Sequence, residues 1–114
     1  MDELLEVSRE DHDGVPVVRP VGELDVATTP ALRAELTAIP EDTAKVIVDL
    51  TDVTFLDSTG LGVLIAAMKR FRDSSAAGRL DLVVTRPHIH KVLEVTGLTT
   101  VFGIYATLDE ALAP

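Results

Sequence analysis

An α/β domain built on a mixed, mostly parallel sheet is predicted by three observations. Val46-Ile47-Val48-Asp49-Leu50 is an apolar run of strand length without alternation, the pattern of a strand covered on both faces in a parallel sheet. Leu61, Leu64, Ile65 and Met68 then recur at helical spacing, and a second strand-and-helix unit follows over 80–96. The chain opens differently, with two short apolar segments around an Asp-Gly turn. These signals give one domain over 1–114, with about five strands, an N-terminal β-hairpin and about four helices packed against the sheet.

Taken in order, Leu4, Leu5 and Val7 precede His12-Asp13-Gly14, and Val15, Val17, Val18 and Val21 follow it. Two strands joined at a tight turn are expected. Pro16 and Pro20 lack the N–H that an inner ladder needs, so part of the hairpin should lie at a sheet edge or end in a bulge. Thr28-Thr29-Pro30 reads as a cap with Pro at the first helical position, and Leu32, Leu36 and Ile39 give the first helix its apolar face. Residues 40–45 form a polar break before the apolar strand. The second helix should begin near Ser58 and stop at Gly78. A strand over 80–85 and a helix over 87–96, with Ile89, Val92 and Leu93 on one face, end at Gly97. Val101, Phe102, Ile104 and Tyr105 form the last strand, and Thr107 with Glu110 makes a capping box for a short terminal helix.

Composition excludes several classes of function. Nineteen acidic against ten basic side chains leave a net charge of −9, with no cluster of Lys and Arg to hold a phosphate backbone. The densest basic run, Lys69, Arg70 and Arg72, reads as the solvated face of a helix. With no cysteine, disulfide frameworks, thiolate metal sites and a Cys nucleophile are absent, which suits a reducing cytoplasm. The first ten residues are acidic and lack the apolar core of a signal peptide. The longest apolar run, over 63–68, is too short to span a bilayer.

One segment exceeds what local stability needs. Asp57-Ser58-Thr59-Gly60-Leu61-Gly62 opens the most apolar helix, and its first three residues are all N-caps where one would suffice. Gly60 and Gly62 each cost up to about 1 kcal/mol relative to Ala in a helix. Two readings fit. The glycines let the helix pack tightly on the sheet, or they keep the Ser58 hydroxyl open to another protein's active site. A helix N-terminus accommodates a phosphoryl group, whose charge of about −1.5 to −2 beside Asp57 would repel an acidic partner. Such an event switches an interface without refolding the domain.

Four segments in the same order, Gly22-Glu23-Leu24-Asp25, the apolar strand 46–50, Phe55 through Gly62, and Thr96-Gly97-Leu98, make the chain resemble the stand-alone STAS-domain anti-sigma factor antagonists. The resemblance covers nearly the whole chain and implies a STAS fold. It implies a regulatory binding protein rather than an enzyme, with no cofactor and no direct contact to nucleic acid or membrane. By position, Ser58 is the phosphoacceptor of an anti-sigma factor that is itself an ATP-dependent serine kinase. The unphosphorylated form binds that kinase and frees a sigma factor; phosphorylation breaks the complex, and a PP2C-type phosphatase restores it. Asp57, Thr59, Gly60 and Gly62 shape the docking surface, with Asp25 and Thr28 beside it. A monomer or weak dimer is expected, and the terminal helix looks shorter than in many relatives.

Two other uses of the chain differ in kind. A STAS subunit of a lipid-transporter or stressosome-like complex would keep the fold and release no sigma factor. A small nucleotide-binding protein or hydrolase would exploit the Gly-rich helix start, but a P-loop Lys is missing because Leu61-Gly62-Val63 follows Gly60. Leu56 stands where a nucleophile elbow needs its first Gly, and Ile65 where a dinucleotide fingerprint needs its third. His88 and His90, two apart on a helix, point to different faces and read as a solvated helix start rather than metal ligands. Glu23 and Asp25 fit a turn before a helix better than a carboxylate pair for catalysis. Asp49, inside an apolar strand, is expected at a sheet edge or facing a loop.

Overall fold

The computed structural model describes residues 5–114; Leu4, expected in the first strand, lies outside them. Strands β1 (Leu5–His12) and β2 (Val15–Leu24) pair antiparallel from Leu5 opposite Gly22 to His12 opposite Val15. Asp13 and Gly14 both take positive φ, 53° and 88°, so the chain reverses in two residues with the handedness a twisted hairpin favours. Asp11 Oδ2 accepts from the Gly14 amide at 3.0 Å and fixes the turn. After β2 come α1 (Thr29–Thr37), β3 (Lys45–Asp49), β4 (Val53–Leu56) and α2 (Ser58–Arg72). The chain then runs through β5 (Arg79–Val83), α3 (Pro87–Val95), a 3-10 turn (Leu98–Thr100), β6 (Gly103–Tyr105) and α4 (Leu108–Leu112).

The described residues form a six-stranded sheet in the order β1-β2-β3-β5-β6, with β4 also paired to β2. Only β1 runs antiparallel to its neighbour; β2–β3, β2–β4, β3–β5 and β5–β6 are parallel. The edge and the bulge expected for the hairpin both exist. β1 is the edge, while the prolines lie on β2, the inner strand of the pair. Gly22 donates to the Asp52 carbonyl, so by alternation Pro20 faces the same side. It falls between the stretch that pairs with β3 (Val17 and Val18) and the stretch that pairs with β4 (Gly22 to Leu24), where no ladder bond is lost. In the β2–β4 pairing, one step from Gly22 to Glu23 matches two from Val53 to Phe55, leaving Thr54 as the extra residue of a bulge.

Helices cover the two faces of the sheet unequally. Val46 and Val48 of β3, Leu80 and Leu82 of β5, and Leu24 of β2 join the main core with Leu32, Leu36, Leu64, Phe71, Ile89 and Leu93 from α1, α2 and α3. On the opposite face Val17, Ile47 and Val83 form a smaller cluster with Ala111 and the half-buried Leu108 and Leu112 of the five-residue α4, flanked by Val15 and Tyr105. The capping box holds: Thr107 Oγ1 accepts from the Glu110 amide at 3.1 Å, and Glu110 Oε1 accepts from the Ala106 amide at 3.2 Å.

Several expectations are corrected. Gly78 does not stop α2, which ends at Arg72 with Asp73 as its cap; it stands where a Cβ would come within 2.2 Å of the Thr43 carbonyl oxygen. The last strand does not include Val101 or Phe102, because the backbone after Gly97 (φ 77°) first turns through the 3-10 segment. Arg70 is not part of a solvated face. Its guanidinium donates to the carbonyls of Leu36 (3.2 Å), Thr37 (3.4 Å) and Ile39 (2.7 Å), capping the C-terminal end of α1 from α2. Of the two places expected for Asp49, the edge is wrong and the loop is right: it lies buried at the end of an inner strand, its Oδ1 accepting from the amide and hydroxyl of Thr51 in the following loop. Thr29 opens α1, so Pro30 is its second residue rather than its first.

Candidate functional site

Two chain segments meet at the end of the sheet where β2 and β4 finish. Leu24 pairs with Leu56, and the Asp57 amide donates to the Leu24 carbonyl at 3.2 Å, joining the loop before α1 to the start of α2. The segment 25–28 is closed by its own side chains. Asp25 Oδ1 accepts from the amides of Ala27 (2.9 Å) and Thr28 (3.2 Å). The buried Thr28 hydroxyl donates to the Glu23 carbonyl at 2.6 Å and accepts from the Asp25 amide at 3.0 Å. Thr28 is therefore the N-cap residue of α1 by position, but its hydroxyl ties the loop backward to β2 instead of capping forward.

Asp57 performs the cap at α2. In extended backbone conformation, it accepts through Oδ1 from the amides of Thr59 at 2.9 Å and Gly60 at 3.1 Å. Ser58 is the first residue of the helix and is exposed, and no hydrogen bond among the described residues engages its hydroxyl. The Asp57 cap changes what a phosphoryl group on Ser58 would meet. Two of the free amides at the helix start are already taken by a carboxylate, so added negative charge is not neutralised there and faces Asp57 at close range.

The two glycines divide the two readings between them. Gly60 is buried, and a Cβ on it would stand 3.1 Å from Leu24 Cβ and 3.2 Å from the Leu24 carbonyl oxygen; its bareness lets α2 sit down on β2. Gly62 is exposed and a Cβ there would meet nothing within 4 Å, so packing gives no reason for it. Gly62→Ala should therefore stabilise the domain by about 0.5–1 kcal/mol, the ordinary gain of Ala over Gly in an exposed helix. A urea-unfolding midpoint at or below that of the wild type would contradict this assignment.

The seven predicted residues lie on these two segments, Asp25 and Thr28 on the closed loop and Asp57, Ser58, Thr59, Gly60 and Gly62 in the first turns of α2. Two exposed apolar residues that the sequence did not single out lie on or next to them. Val26, at the apex of the closed loop, is 74% exposed, and Phe55 is 47% exposed. An apolar residue between Asp25 and Thr28 in a turn was the available signal. His88 and His90 are exposed as expected, but the His88 ring lies 2.8 Å from the carbonyl oxygen of the bulged Thr54, on the edge of β4 that carries no strand. Arg86 Nε donates to the Thr51 carbonyl at 3.1 Å alongside. Among the described residues, no group of His, Asp or Glu is arranged to hold a metal ion, and no helix is long and apolar enough to cross a membrane.

A sheet with three helices on one face, and an exposed serine at a carboxylate-capped helix start, define a small α/β domain that carries its distinctive residues on its surface. The chain belongs to the STAS domain family, whose profile matches residues 6–111. It is 31% identical over 110 residues to the anti-sigma F factor antagonist of Paenibacillus polymyxa, covering 95% of this chain and 92% of that one. Among solved structures it resembles an anti-sigma factor antagonist from Mycobacterium paratuberculosis, with 36% identity, a TM-score of 0.86, and coverage of 95% and 91%. It also resembles the Bacillus cell fate determinant SpoIIAA in its phosphorylated form, with 29% identity, a TM-score of 0.70, and coverage of 94% and 96%.

Proposed function

We propose that the chain is an anti-sigma factor antagonist that works by partner switching. Unphosphorylated, it binds an anti-sigma factor that is also an ATP-dependent serine kinase, and the sigma factor is released. Phosphorylation of Ser58 ends that binding, and a PP2C-type phosphatase reverses it. The observation that carries this reading is the exposed Ser58 at the start of α2, with its neighbouring amides occupied by Asp57 and no side chain at Gly62 to obstruct approach. The relatives named as anti-sigma factor antagonists, and the existence of a phosphorylated form of SpoIIAA, support it.

The role of each residue follows from its place. Ser58 Oγ attacks the γ-phosphorus of ATP held by the kinase; its proton passes to a base of the kinase, and ADP leaves. Asp57 keeps the helix start rigid, while Thr59, Gly60 and Gly62 give it a low profile. Asp25 and Thr28 hold the neighbouring loop. The effect on transcription comes from competition for a protein, which fits a chain of net charge −9. The test mixes the chain with its anti-sigma kinase and sigma factor and follows complexes by size exclusion before and after adding ATP. Release of the sigma factor without ATP, and loss of the antagonist–kinase complex with it, is the expected result. A sigma–kinase complex that persists at excess antagonist would overturn the reading.

A further inference from the structure

We propose that α4 is a cover that lifts off the sheet while the rest of the domain stays folded, and that the buried carboxylate of Asp81 beneath it sets how often it lifts. The proposal is independent of the reading of Ser58, whose helix packs on the other face of the sheet. Asp81 stands in β5 between Leu80 and Leu82, which join the main core, so alternation turns its side chain to the face that α4 covers. There it lies in register with Ile47 of β3 and Gly103 of β6, and it is 1% exposed. Arg79, two residues back on the same face, reaches one of its oxygens: Nε and Nη2 donate to Oδ1 at 3.1 and 2.9 Å. Gly103 makes room for that oxygen, since a Cβ there would come within 2.5 Å of it. Oδ2 is buried without a hydrogen-bond partner, the one side-chain polar atom so placed among the described residues. The other polar groups nearby are turned elsewhere: Lys45 Nζ donates to the Ala111 carbonyl, and the Tyr105 hydroxyl accepts from Arg79 at 3.4 Å. A buried polar atom without a partner has given up its hydration for nothing, and that penalty ends when water reaches it.

Little holds α4 down against this. It packs on β5 and β6, and Ala111 is its one buried residue, whereas α1, α2 and α3 each bury two or more. The Lys45 bond to the Ala111 carbonyl is the one side-chain hydrogen bond between sheet and helix among the described residues. The exposed Ala106 and Thr107 join α4 to β6, so the helix can swing without breaking a strand. Segments with few buried apolar contacts open at lower free energy than the whole domain. Lifting α4 hydrates Oδ2 and uncovers Val17, Ile47 and Val83, while the main core on the other face stays closed.

The test exploits a chain without cysteine. Ala111→Cys and, in a separate chain, Val48→Cys each place a single thiol at a fully buried position, the first under α4 and the second in the main core. Labelling by a thiol reagent, slow relative to reclosing, reads the open fraction at each. The Ala111→Cys chain should label at least about a hundredfold faster than the Val48→Cys chain. Equal rates would mean that α4 opens only with the whole domain and would overturn the proposal. Adding Asp81→Leu to Ala111→Cys keeps the branched shape and removes the orphaned oxygen, so labelling should slow at least about fivefold. Adding Arg79→Met strips the carboxylate of its partner, and labelling should quicken about tenfold or more. An unchanged or faster rate with Asp81→Leu would also overturn the proposal, since the ion pair would then be holding the cover down. Circular dichroism confirms folding; if Val48→Cys does not fold, amide exchange of Ala111 against Val48 in the unaltered chain carries the comparison.

Discussion

Ser58→Ala should take up no phosphate from the kinase while keeping both its fold and its partner. The serine hydroxyl bonds to nothing among the described residues, and the cap that organises the helix start belongs to Asp57. Alanine is also the best helix former. Stability should therefore stay within about 0.5 kcal/mol of wild type, as for other surface substitutions. Ser58→Asp should fold as well but bind the kinase at least about tenfold more weakly, because a second carboxylate beside Asp57 adds charge where the amides are already taken. Intact-mass spectrometry after incubation with kinase and ATP reads the first outcome and titration calorimetry the second. Stoichiometric phosphate on the alanine chain would mean that another residue is the acceptor.

Gly78→Ala should damage the fold and leave the site alone. A Cβ at Gly78 would lie 2.2 Å from the Thr43 carbonyl oxygen and 3.3 Å from those of Ala44 and Phe71. These are backbone atoms in the approach to β3 and at the end of α2, and none is a side-chain tip that can swing away. Relief requires separating the start of β5 from its neighbours, at a cost of about 3 kcal/mol or more. For a domain whose whole stability is about 5–15 kcal/mol, that is a large fraction. Urea unfolding should show the midpoint falling sharply. Kinase affinity measured on the remaining folded protein at low temperature should be unchanged, since Gly78 lies beyond the opposite end of α2 from Ser58. An unchanged midpoint would show that the close approach is not required.

The residues explain why much of this was legible and some was not. The run 46–50 identified an inner parallel strand because Val46 and Val48 face one layer and Ile47 the other, which leaves no polar alternation to write. The start of α2 was legible because its capping residues and its apolar period coincide. β4 was not read as a strand: it has four residues, and Thr54 and Phe55 at its centre are exposed, so neither length nor period marks it. Gly78 looked like a helix stop because the demand it meets comes from Thr43, 35 positions away in sequence. Arg70 looked solvated because its partners lie on another helix. At the candidate site, the cap by Asp57 and the exposure of Ser58 follow from the motif, whereas the exposure of Val26 and Phe55 depends on the fold around them.

The closed loop before α1 separates its frame from its tip. Its bonds run within 23–29, and it is joined to the start of α2 by the β2–β4 pairing and the bond from the Asp57 amide to the Leu24 carbonyl. Val26, whose side chain makes no part of that bonding, can therefore vary without disturbing the helix that carries Ser58. One exposed side chain on a rigid turn alters the surface beside the start of α2 while the frame stays fixed.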